Sequence, residues 1–148
     1  MPAFVLFTID AQTFALPAGQ VAAVHRNAAA TPVPGAPPFV RGLLDLRGEL
    51  LPVLEVRARL GLGTRPPRAS DHLLLVEDGP GRVLLEVDRV LELRELPGED
   101  GRPVREGLAR GALRTPEGAV LVHDPAAWVA EADAALGGAR AGGGHGRT

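Results

Sequence analysis

The chain has no cysteine, no lysine and no tyrosine in 148 residues. Without cysteine there is no disulfide, no thiol nucleophile and no thiolate metal site. The lack of tyrosine, with aromatics at only 3%, removes the stacking platform that single-stranded nucleic acid needs. A net charge of −2 gives no general attraction to nucleic acid or to acidic lipid. No apolar run reaches the ~20 residues of a membrane-crossing helix, so direct membrane insertion is not expected. Ile9, Asn27 and Ser70 are each the sole residue of their type, and all 16 Lys/Arg positions are arginine; codon bias in a GC-rich gene is the first reading of this skew, and a selected need for planar, bidentate arginines the second. The N-terminal residues enter a strand pattern without a basic leader, so no secretory signal is expected and the cytoplasm is the default location.

Catalytic chemistry is short of parts as well. Ser70 sits in a Pro/Arg loop with no nucleophile-elbow context. None of His25, His72, His123 and His145 lies three or four residues from another, which excludes a helical metal pair. His123-Asp124 has the look of a base and its orienter, but a helix cap accounts for Asp124 more simply. Glu86 and Asp88 read as surface or interface groups. Gly61-Leu62-Gly63 and Gly79-Pro80-Gly81 lack the lysine of a phosphate cradle. No enzyme activity, metal or cofactor is expected.

What the chain does have is a series of short strand signals. Residues 4–9 and 13–16 flank the polar turn Asp10-Ala11-Gln12 and read as a hairpin. Residues 21–26 suit a strand or a helical turn. Four prolines among residues 27–38 dictate an extended connector; a proline-rich ligand is the lesser reading. Residues 43–44 and 50–56 form the next strand pair, followed by a helical turn stopped at Gly61. Residues 64–70, with Pro66-Pro67, read as a second connector and subdomain boundary. Asp78-Gly79-Pro80-Gly81 joins strands at 72–77 and 82–87 as a hairpin, and 90–93 continues as strand. Residues 97–105 are polar and turn-rich. The last strands, 108–114 and 120–123, surround Pro116-Glu117-Gly118.

Asp124-Pro125 is a helix start: the carboxylate caps free amides and proline suits the first turn. The helix is expected over 125–136, with Trp128, Ala132 and Leu136 turned inward and Gly137 as its stop. Residues 137–148 are glycine-rich and expected to be disordered.

Residues 31–57 stand apart. Here Arg47 interrupts an apolar sequence between Leu46 and Gly48, at a turn between strands. A guanidinium there presents five donors in a fixed fork, suited to a carboxylate or to carbonyls. It serves either recognition of a partner or bracing of its own loop against Asp45 or Glu49. Gly42 and Gly48 read as conformational. Val21 and Val24 read first as core.

The motif Asp45-Leu46-Arg47-Gly48, followed by Pro52-Val53-Leu54-Glu55-Val56-Arg57, resembles the signature of the CheW-like family, the adaptor domains of bacterial chemotaxis arrays. Phe4-Val5-Leu6-Phe7, Phe14-Ala15-Leu16-Pro17, Val21-Ala22-Ala23-Val24 and residues 84–90 extend the resemblance over about 3–136. It implies an all-β fold of two small SH3-like five-stranded barrels packed together with a C-terminal helix: a first barrel over about 3–63, a second over about 70–124, and the helix 125–136. It implies a non-enzymatic adaptor between the cytoplasmic tip of chemoreceptors and the regulatory domain of a CheA-type histidine kinase, located at arrays on the inner face of the membrane. Partner contacts are then expected from Arg47, Leu46, Asp45, Arg41, Gly42, Val21 and Val24, with Val21 near a receptor groove. Three departures stand out: Asp45 replaces the family's usual Asn, Ala23 a common Glu, and residues 97–106 are short and turn-rich. They leave room for an alternative, a divergent module of another two-component pathway that binds partners without activating a kinase.

Overall fold

The computed structural model describes residues 1–99 and 108–143, with side chains to Gly137. Among the described residues, ten strands and two α-helices follow in order: β1 (Ala3–Ile9), β2 (Gln12–Pro17), β3 (Val21–Arg26), β4 (Val40–Leu46), β5 (Glu49–Glu55), α1 (Val56–Arg59), β6 (His72–Asp78), β7 (Gly81–Val87), β8 (Arg89–Glu95), β9 (Ala109–Thr115), β10 (Gly118–His123) and α2 (Pro125–Gly143). They form two five-stranded sheets, ordered β8-β1-β2-β10-β9 and β3-β6-β7-β5-β4.

The sheets are interleaved along the chain, which corrects the expected split into residues 3–63 and 70–124. The β1–β2 hairpin joins the last three strands, and β3–β5 join β6 and β7. The physical reason is edge satisfaction. Each hairpin leaves an open edge, and two parallel pairings close it: β10 lies along β2 with Leu121 opposite Phe14, and β7 along β5 with Val53 opposite Leu84. Turn chemistry fixes hairpins but says nothing about which edges meet.

The apolar runs of β1, β6 and β7 are continuous because both sheet faces are buried. Phe4 and Leu6 point into the first barrel with Leu113, Val120 and Val122. Leu73, Leu75 and Leu84 fill the second with Leu51 and Val53. The alternate residues Val5, Phe7 and Ile9, with Leu74, Val76, Val83 and Leu85, meet in one central cluster that also takes Trp128, Val129 and Ala132 of α2. The barrels therefore join through this cluster, not through the 64–70 connector.

The second barrel is closed by Thr31, whose amide and carbonyl bond Leu43 at 2.8 and 2.9 Å. Gly42 permits the approach. It is buried, has φ +146°, and a Cβ there would lie 2.0 Å from the Thr31 carbonyl oxygen. Only glycine fits.

At α2, Asp124 Oδ1 accepts from the Ala126 amide at 3.0 Å, and Trp128, Ala132 and Leu136 are buried as expected. The helix does not stop at Gly137 but runs to Gly143. Single glycines each weaken a helix by about 1 kcal/mol relative to alanine without ending it, and Ala-Arg-Ala follows. Of the expected disordered tail, 144–148 lie outside the described residues, as does the expected polar loop from residue 100 onward.

Candidate functional site

The β4–β5 turn has just two residues in its loop, since Leu46 pairs with Glu49. Right-handed strand twist selects a type I′ geometry for such a loop, with φ positive at both central positions. Arg47 (φ 55°) and Gly48 (φ 90°) meet that requirement. Glycine adopts it freely, whereas arginine does so at a cost. Asp45 holds the turn: its Oδ1 accepts from the Gly48 amide at 2.7 Å. Glu49 pairs with Arg82, whose Nε also reaches Glu77 at 2.9 Å. Arg47 itself is exposed and makes no hydrogen bond or ion pair with a described residue. Of the two roles open to it, bracing thus falls to Asp45.

Beside the turn lies a cavity of ≈ 410 Å³ between β3 and the barrel mouth, lined among others by Ala22, Ala23, Leu46, Arg47 and Arg82. Its floor is firm, because Ala23 and Leu46 pack against the buried Leu51 and Leu75.

The other candidates divide. Val24 is 47% exposed, so the core reading does not hold for it. Val21 is half-buried and packs on the central cluster. A bulge between Val21 and Ala23 shifts the strand register between them. Gly42 closes the barrel, as above. Arg41 is turned inward: Nε donates to Glu86 Oε1 at 2.8 Å, and Nη2 lies 3.0 Å from Glu55 and donates to the Arg65 carbonyl at 2.5 Å. The turn and β3 therefore share a groove that Arg41 does not enter.

Arg41 belongs to an ionic network that the sequence reading missed. Arg57 pairs with Asp10 at 2.7 Å and with Asp88 at 2.8 Å; Arg65 pairs with Asp71 at 2.6 Å and with Asp88 at 2.8 Å. Thr64 and the Arg65 amide both donate to Glu55. Asp88 Oδ2 also accepts from the Asp10 amide at 2.6 Å, which ties the β1–β2 turn of one barrel to the chain crossing from the other. Burial works against the Asp88 carboxylate, but the Asp10 amide, Arg57 and Arg65 together hold its pKa below the usual value. At Glu86 burial prevails over Arg41 and raises the pKa. Glu86 is buried, not the surface group expected. Its position inside the apolar Leu84-Leu85-Glu86-Val87 run was the signal: a carboxylate there needs a cation from another element.

A second buried polar group lies beneath α2. His123 Nδ1 accepts from the Trp128 indole N–H at 3.0 Å. Its ring stacks on Trp128 and meets Phe14 edge-on at 4.9 Å. Burial lowers its pKa to about 4, so it is a neutral acceptor and not a base paired with Asp124. An unfolded imidazole takes up a proton below about pH 6.5, the folded one only near 4. This contribution to stability is complete above about 6.5 and is lost progressively as pH falls towards 4, on the order of 3 kcal/mol in all. Glu86 acts in the opposite sense: its proton is held longer in the folded state, so its contribution is lost as pH rises through its raised folded value. Urea unfolding of the wild type and His123→Gln at pH 7 and pH 5 separates the two. The wild type should lose more stability on acidification than the variant; equal losses would contradict a buried neutral His123.

With this geometry in hand, comparison with known proteins places the chain. The CheW-like domain family matches residues 3–133. The chemotaxis protein CheW of Rhizobium meliloti is 31% identical over 117 residues, which cover 74% of this chain and 75% of that protein. Protein PilI of Pseudomonas aeruginosa is 31% identical over 91 residues, covering 62% of this chain and 51% of PilI. Among solved structures, the scaffolding protein TtCheW from Thermoanaerobacter tengcongensis superposes with a TM-score of 0.75 at 24% identity, covering 84% of this chain and 85% of that one, and shares the fold of two SH3-like units. The chain belongs to the CheW-like family of signalling adaptor and scaffold proteins.

Proposed function

We propose that this protein is a cytoplasmic, non-enzymatic adaptor that links the cytoplasmic tip of chemoreceptors to the regulatory domain of a CheA-type histidine kinase, with the Arg47 turn as one of its protein contacts. The observation that carries this reading is Arg47 itself. A long cation is held at positive φ, exposed and without a described partner. A conformation that costs energy locally persists where it serves something other than the fold. The two barrels supply a rigid mount, so the mechanism is positional: receptor and kinase are kept in register, and receptor state biases the kinase. Val24, exposed on β3, and Leu46 extend the contact surface; Gly42 and Asp45 shape it, and Arg41 and Val21 support it from within.

The test is reconstitution. Receptor signalling fragments are tethered to vesicles and mixed with the cognate CheA-type kinase, with and without this protein. The expected result is that the protein brings kinase to the vesicles and raises autophosphorylation. Recruitment without any change in kinase activity would favour the alternative, a module of another two-component pathway that occupies partner sites without activation. Absence of binding to both partners would overturn the adaptor reading.

A further inference from the structure

We propose that the cavity over the edge of His123, where the two barrels meet, binds a small uncharged molecule that joins a carbonyl group to a short aliphatic chain, such as an amide or an ester. The site shares no lining residue with the groove at the Arg47 turn, and it goes beyond the adaptor reading.

The cavity lies where α1 of the second barrel faces β2, β9 and β10 of the first, and its volume is ≈ 390 Å³. Small-molecule sites span ~300–1,000 Å³ and are mostly apolar with a few placed polar groups. The wall here fits that pattern: Phe14, Leu60, Leu62, Ala109 and Leu121 line it. Leu62 is 42% exposed and forms part of the rim.

The polar group in the floor is one N–H. An indole nitrogen can only donate, so the 3.0 Å bond from Trp128 makes His123 Nδ1 an acceptor. Burial keeps the ring neutral at pH 7, and its one proton then sits on Nε2. Nε2 donates to no described residue, yet among the described residues Arg65 Nε alone is wholly enclosed without a partner. The Nε2–H of His123 therefore reaches the cavity that this residue lines. Trp128 stacked on the ring and Phe14 perpendicular to it fix its direction. A donor held there, beneath apolar walls, is matched by an acceptor that brings apolar surface with it.

Charge selects the class of ligand. Arg59 also lines the cavity, but it is paired with Glu131 and lies over the Phe39 ring at 5.8 Å. No described acid lines the cavity. A carboxylate entering it would exchange water for one N–H and a guanidinium already engaged, and an ammonium would meet no counter-ion. An uncharged carbonyl has the least hydration to lose and satisfies the donor. The exposed Gln12 amide at the same cavity can meet a second polar atom.

The experiment titrates the full chain at neutral pH with hexanamide, hexanoate and hexylammonium, three probes of one chain length that differ in charge. Nitrogen–proton correlation NMR follows the indole signal of Trp128, the sole tryptophan, and the Nε2 signal of His123. Hexanamide should shift both in a saturable way. Hexanoate and hexylammonium should bind at least about tenfold more weakly. Leu62→Asp, at the exposed rim, should weaken hexanamide at least about threefold by removing apolar contact, with a melting midpoint close to that of the wild type. Equal binding of either charged probe overturns the uncharged class. Unweakened binding of hexanamide to Leu62→Asp places the probe elsewhere and overturns the site. If no probe moves either signal, water alone serves the donor and the proposal falls. None of these outcomes touches the adaptor reading, which rests on binding of kinase and receptor.

Discussion

Trp128→Ala is expected to remove about 3–5 kcal/mol of stability and to lower the melting midpoint by roughly 10–15 °C. Trp128 has no exposed surface and sits where the central cluster receives α2. Its replacement opens a cavity between the two barrels, in a region too tightly packed to collapse fully. It also removes the indole N–H that satisfies His123 Nδ1 and leaves that buried nitrogen without its donor. Trp128→Phe separates the two effects: most of the ring is retained and only the bond is lost, so it should fall between wild type and alanine. Thermal unfolding followed by far-UV circular dichroism measures both. An alanine variant that melts like the wild type would show that α2 does not fasten the barrels together.

A loss of the same size is expected from Arg65→Ala, by a different mechanism. Arg65 lies in the connector between α1 and β6, and its fork spans Asp71 and Asp88. Asp71 is 2% exposed, so its charge has no water to turn to once the guanidinium is gone. Breaking a buried pair by removing one member costs about 3–5 kcal/mol, because a desolvated charge is left uncompensated. Arg65→Lys keeps the charge but loses the planar fork that bridges two carboxylates, so it should lose less than alanine and still fall below the wild type. Urea unfolding at neutral pH measures the series. If alanine and lysine both match the wild type, the network is a surface ornament and does not hold the connector.

These two sites show where the sequence was legible. The hairpins could be read because their turns carry local chemistry. Asp10 adopts φ 55° at the β1–β2 turn and Gly79 φ 57° at the β6–β7 turn, conformations that aspartate and glycine tolerate better than most residues. The start of α2 was equally local, since Asp124 and Pro125 act within one turn of each other. Trp128 was legible as an anchor because its neighbours in the helix follow the apolar stripe. Arg41 was not. Next to Gly42 it looks like a presented cation, but its partners Glu55 and Glu86 come from β5 and β7, and their approach depends on a parallel pairing that no turn announces. For the same reason the barrels could be counted but not assigned their strands. The resemblance marked Arg47 as important. Its strained turn, and the transfer of bracing to Asp45, appear only with backbone angles in hand.

Arg47→Asn separates the conformation of the turn from the recognition chemistry of its guanidinium. Asparagine tolerates positive φ better than arginine, and Asn-Gly is a preferred type I′ pair, so the substitution improves the turn while it deletes the guanidinium. Calorimetric titration of wild type and variant against the kinase regulatory domain and the receptor-tip fragment, with melting curves on the same samples, gives both readouts. The expected result is a melting midpoint equal to or above that of the wild type, together with affinity for one partner reduced at least about tenfold. A well-folded Arg47→Asn variant that binds both partners as tightly as the wild type would contradict it.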